Sequence, residues 1–106
     1  TMDTNLITVG KEVFPVKYGF NALRLFCNAS NIGLQELEGI AENISIDHAI
    51  NLVWAGMKDG ARTEKKDFDL TTEDVADLID VDFTVVKQCM DLFVSSFVKP
   101  NTEEKK

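Results

Sequence analysis

The chain has 106 residues, 44% of them hydrophobic, which suffices for one compact core and leaves too little for a second domain. Eighteen acidic against eleven basic residues give a net charge of −7, a field that repels nucleic-acid phosphates and anionic lipid and so argues against both as partners. No stretch reaches the roughly 20 apolar residues of a membrane span, and the first residues lack a basic-then-apolar leader pattern. Cys27 and Cys89 lie in apolar helical patterns without the nearby Cys or His of a zinc site, so they read as buried, reduced thiols in a cytoplasmic protein.

The organisation expected is a flexible N-terminus over residues 1–4, one domain over 5–99, and a charged, disordered tail over 100–106. Within the domain, β-branched and aromatic residues from Asn5 to Lys17 flank Gly10-Lys11, a pair that suits a type II′ turn, and predict a short hairpin acting as a lid or flank. Pro15 lacks a backbone donor and belongs at an edge position. Asn21 is placed to cap a helix that carries Ala22, Leu23, Leu25, Phe26 and Ala29 on one face and ends at Ser30, Asn31 and Gly33. A second short helix runs from Leu34 to about Glu42.

Ser45 is the expected cap of a third helix reaching about Arg62. On a 100° wheel Asp47, His48, Asn51, Lys58, Asp59 and Arg62 share a wet arc, and Ile46, Ala49, Ile50, Val53, Met57 and Ala61 face the core. Gly56 and Gly60 lower helix propensity while permitting close approach of a neighbour. Arg62, Lys65 and Lys66 fall where cations complement the negative helix end. Thr71-x-x-Asp74 has capping-box spacing and opens an acidic helix with Val75, Leu78 and Ile79 inward. Asp82 then caps a last helix from Phe83 to about Val98. The fold class expected is therefore mainly α: a short N-terminal β-hairpin followed by about five helices in one compact domain.

Catalytic and metal-binding patterns are missing. The segment from Asp67 to Glu73 alternates oxygen donors as a calcium loop does, but the sixth and twelfth places hold Thr72 and Leu78 instead of the turn glycine and bidentate glutamate. Asp74, Asp77, Asp80 and Asp82 share faces at i+3 spacing without a titratable partner nearby. His48, the only histidine, has no G-x-S-x-G serine to serve, and no phosphate-cradling glycine loop occurs. A non-enzymatic protein without cofactor or metal is expected, one that works by binding another protein.

The last helix supplies the candidate surface. Phe83, Val86, Met90, Phe93, Val94 and Phe97 form its main apolar stripe, while Val85, Cys89 and Leu92 widen it beyond the roughly 100° needed to face one core. Either neighbours cover that extra flank or it is a partner-binding or self-association face, and Val85, Cys89 and Leu92 are its candidate residues.

The order of segments is also informative: a hairpin, Tyr18-Gly19-Phe20-Asn21-Ala22-Leu23-Arg24-Leu25-Phe26, Leu34-Gln35-Glu36-Leu37, Leu52-Val53-Trp54-Ala55-Gly56-Met57-Lys58-Asp59-Gly60, and the acidic Thr72-Glu73-Asp74-Val75-Ala76. This order resembles that of the small tail assembly chaperones of long-tailed bacteriophages and prophages. The resemblance implies a non-enzymatic helical protein of the host cytoplasm that coats the apolar tape-measure protein and recruits tail-tube subunits. An acidic body with surplus apolar surface is physically suited to keeping such a client in solution. The competing expectation is an acidic inhibitor or regulator that mimics nucleic acid, presenting Glu73, Asp74, Asp77 and Asp80 to a basic enzyme.

Overall fold

The computed structural model describes residues 4–98. Strands β1 (Asn5–Val9) and β2 (Glu12–Val16) form an antiparallel hairpin in which Leu6 pairs with Pro15 and Val9 with Glu12. Gly10 has φ +62° and Lys11 does not enter the positive region, as a type II′ turn requires. Five helices follow: α1 (Phe20–Ser30), α2 (Leu37–Glu42, entered through a 3₁₀ turn over Leu34–Glu36), α3 (Ile46–Thr63), α4 (Thr72–Val81) and α5 (Thr84–Phe93), which runs into a π-helical turn over Val94–Val98. The mainly α architecture expected from the pattern is the one present. The expected flexible N-terminus and charged tail lie, for residues 1–3 and 99–106, outside the described residues; Thr4 is held, its hydroxyl donating to Glu64 at 2.6 Å.

Several helix ends follow local sequence. Ser45 Oγ accepts the His48 N–H at 3.1 Å, and the Thr71–Asp74 box is closed in both directions at 3.0 and 3.1 Å. Asp82 accepts from both the N–H and the hydroxyl of Thr84 at the start of α5. Helices α1 and α3 stop in the same way, with Asn31 and Lys65 in the left-handed region (φ 58° and 61°) and the next N–H reaching back to Cys27 and Ala61.

The start of α1 does not follow the sequence expectation. Asn21 lies inside the helix and accepts from Arg24, and the N-cap is Gly19, which has no side chain to offer. The carboxylate that does the capping comes from α3. Asp59 accepts the N–H groups of Gly19 and Ala22, each at 3.3 Å, and its other oxygen takes two bonds from Arg62, the shorter 2.8 Å. Asp59 is thus 1% exposed instead of lying on the wet arc of α3. A buried carboxylate is tolerated because both its oxygens are bonded and a guanidinium neutralises it. Arg62 is accordingly engaged by Asp59, not by the helix end.

The hairpin is a wall of the core and not a lid. Ile7, Val9 and Val16 are buried, and the chain leaving β2 runs directly over α3. The two α3 glycines explain how. A Cβ on Gly60 would collide with the Pro15 carbonyl, and one on Gly56 with the Tyr18 ring. With hydrogen there instead, Lys17 N–H reaches the Gly56 carbonyl at 3.0 Å and the Tyr18 hydroxyl donates to the Leu52 carbonyl at 2.8 Å. Gly39, by contrast, faces open space.

Gly60→Ala should therefore destabilise the fold by about 3 kcal/mol in urea unfolding through overpacking against backbone, whereas Gly39→Ala should stabilise it by up to about 1 kcal/mol through helix propensity. Asp59→Ala should cost roughly 2–4 kcal/mol in the same assay by leaving buried N–H groups and Arg62 without their acceptor. Asp59→Asn should cost less, since one acceptor oxygen remains.

Candidate interaction surface

Helix α5 carries apolar residues around most of its circumference, so its wheel alone does not say which stripe turns inward. The structure turns in the stripe Val85, Cys89 and Phe93. Val85 and Cys89 are 0% exposed, and Leu92 is half-buried against the core. The expected partner-binding flank is thus closed to a partner, because α3 and β1 pack on it. Phe93 lies edge-on to Tyr18 and to Phe26, each at 6.1 Å between ring centroids, a geometry that aromatic quadrupoles favour.

The neighbouring stripe of Phe83, Val86 and Met90 is less covered, although Val86 and Met90 also touch the core. Phe83, expected inward, is 76% exposed, and Val86 and Met90 are half-buried. Ile46, expected on the core arc of α3, is 79% exposed. Ile46 is the first residue of α3 and Phe83 the residue just before α5, each directly after the side chain, Ser45 or Asp82, that accepts an N–H at the opening of the helix. That position is the signal by which the sequence could have revealed them.

Ile46 and Phe83 stand on a hollow of about 550 Å³ whose floor includes Ala49, Ile50, Ala76 and Ile79. The one charged side chain lining it is Asp80. Ile50 and Ala76 also line an adjoining hollow of about 430 Å³, whose other walls, apart from Ala29, are polar and include Asp47, His48, Asn51 and Glu73. The two share the Ile50 and Ala76 walls, so that a mostly apolar hollow carrying Asp80 adjoins a polar one carrying Asp47 and Glu73, and together they form the groove between α3 and α4. Among the described residues no lysine or arginine lines either half. His48 is half-buried, lying edge-on to Phe26 at 6.2 Å, and so is held more firmly than the surface histidine expected.

Glu73, Asp74, Asp77 and Asp80 are all exposed on α4, so the acidic face proposed for phosphate mimicry is open to solvent. On the far side of α3, Lys58 stacks over Trp54 at 5.6 Å and over Phe68 at 5.8 Å, and Trp54 Nε1 donates to the Leu70 carbonyl at 3.2 Å. These contacts fasten the 64–71 loop to α3; they bring Asp67 and Asp69 into no shared ion site. Among the described residues no three His, Cys, Asp or Glu side chains gather as metal ligands, and no helix is long and apolar enough to cross a membrane.

No family model, curated protein or solved structure matches the chain.

Three groups in or against the core, Tyr18, Cys27 and Cys89, titrate above their ordinary values. Burial pushes the Cys89 thiol up to about 11, partly offset by its hydrogen bond with Tyr18, and burial raises the Tyr18 phenol well above its usual value. Burial, with a smaller contribution from nearby Glu36, raises the Cys27 thiol. The folded state thus prefers the protonated thiol at Cys89, and the stability this confers is complete below the thiol's ordinary value of 9.0 and is lost as pH rises toward 11. Thermal unfolding should show destabilisation that begins near pH 9 and reaches roughly 2–3 kcal/mol by pH 11 from Cys89 alone. Cys89→Ala should flatten that alkaline slope. At pH 8 a thiol reagent should label Cys27 in the folded protein and reach Cys89 only on unfolding.

Proposed function

We propose that this protein is a non-enzymatic assembly chaperone of a long-tailed phage or prophage, which binds the tape-measure protein and assists tail-tube assembly in the host cytoplasm. The observation that carries this reading is the exposed apolar groove between Ile46 and Phe83 on a body of net charge −7. A holding protein needs both properties at once: apolar surface to cover that of its client, and like charge on its outer face to keep the complexes apart. The order of sequence segments described above supplies the particular client. The client-facing surface is the groove, in place of Val85, Cys89 and Leu92.

A second reading is an acidic inhibitor that mimics nucleic acid, favoured by the four exposed carboxylates of α4. The two differ in their response to salt. Binding through the groove persists at moderate ionic strength, whereas binding through carboxylates alone falls steeply.

Co-expression with the tape-measure protein should keep that client soluble and co-purify it. Ile46→Glu together with Phe83→Glu should abolish co-purification with little change in Tm, because both side chains are already exposed. A wild-type protein that leaves the client insoluble would count against the chaperone role. Capture of a DNA-binding enzyme that is lost at high salt and unaffected by the double variant would favour the mimic.

A further inference from the structure

The groove has a chemistry that selects among occupants. It is walled by α3 and α4 with the end of α1 at Ala29 and Ser30 and the start of α5 at Phe83 and Val86, and among the described residues none from the hairpin lines it, so it offers no strand edge to pair with. The secondary structure that fits such a seam by side chains alone is a helix, laid in by residues at i, i+3, i+4 and i+7. At 1.5 Å per residue the ten-residue α4 is about 15 Å long, which accommodates about three turns of a docked helix. One end is apolar between Ile46, Ile79 and Phe83 with Asp80 as its one carboxylate, while the other carries Asp47 and Glu73, and among the described residues no lysine or arginine lines either end.

We infer that the groove receives an amphipathic helix of the client, its apolar stripe between Ile46 and Phe83 and its lysine- or arginine-bearing end against Asp47 and Glu73. This rests on the chaperone reading for the identity of the client and on the groove alone for the helix's chemistry. A second copy of the chain is a poor occupant, since pairing through this face brings two acidic ends of a chain of net charge −7 together. The sequence of residues 99–106, Lys-Pro-Asn-Thr-Glu-Glu-Lys-Lys, has no aliphatic stripe to fill the apolar end either.

The test uses two synthetic helical peptides of about 18 residues with the same leucine stripe, one ending in lysines and the other in glutamates. The full chain should bind the lysine peptide at least about tenfold more tightly in low salt, with NMR shifts at Ile46, Ile79 and Phe83. Phe83→Glu and, independently, Ile46→Glu should remove binding without loss of Tm. Asp47→Lys with Glu73→Lys should reverse the peptide preference, whereas Glu12→Lys with Glu38→Lys, elsewhere on the surface, should leave it in place. Equal affinity for the two peptides, or a preference that follows net charge regardless of position, would overturn the inference. So would a Phe83-dependent dimer in sedimentation, which would assign the groove to a second copy. If the peptides behave as expected but the tape-measure protein never co-purifies, the chaperone reading fails and the groove assignment stands; if the client co-purifies with Ile46→Glu and Phe83→Glu in place, the groove assignment alone fails.

Discussion

The close crossing of the chain over α3 at Gly56 and Gly60 is the constraint on which the rest of the structure depends. Removing two side chains from one face of a helix lets backbone meet backbone, so Pro15, Val16 and Tyr18 lie against α3 with no intervening layer. The intimacy is fixed by polar bonds: Lys17 N–H to the Gly56 carbonyl, the Tyr18 hydroxyl to the Leu52 carbonyl, and the Asp59 carboxylate to the first turn of α1. Within little more than two turns, from Leu52 to Gly60, α3 therefore seats the hairpin, orients the aromatic ring and caps the start of α1. The Tyr18 and Ala22 bonds are buried, where a satisfied polar pair is specific and an unsatisfied one is expensive.

From that crossing the core propagates outward. Tyr18, once set on α3, presents its ring edge to Phe93, and Phe93 in turn meets Phe26, so one aromatic cluster joins the hairpin exit, α1 and α5. This choice turns Val85 and Cys89 inward, because they share a stripe with Phe93. The remaining apolar stripe of α5 has no helix left to cover its beginning. Phe83 and, across the seam, Ile46 thus remain at the surface as a consequence of how the buried side was satisfied.

That surplus surface lies beside the most acidic helix of the chain. An apolar groove with charge at one end combines contact energy with discrimination: the apolar half supplies area, and the acidic half rejects helices whose flank carries the wrong sign. For a protein that holds another in solution, the arrangement also keeps the outer face strongly negative after the groove is filled. The apolar hollow and the exposed carboxylates thus belong to the same pair of helices, α3 and α4.

Much of this molecule is decided by residues close together in sequence. The II′ turn at Gly10-Lys11, the Ser45 cap, the Thr71–Asp74 box and the succession of one hairpin and five helices are legible because each rests on interactions spanning only a few residues. The candidate site was not legible in the same way. A wheel drawn for α5 shows an excess of apolar residues but cannot tell which stripe faces the core, so Val85, Cys89 and Leu92 read as plausibly as Phe83 and Val86. Likewise Asp59 reads as a wet-arc acid, since the N–H groups it caps lie 37 and 40 residues away. The sequence by itself determined the elements, most of their ends and the charge of the chain, all set by local geometry and composition, while the start of α1 waited on Asp59 from α3. Only the tertiary structure decided which faces are buried, because burial depends on which distant backbone can approach most closely, and here that approach is set at Gly56 and Gly60.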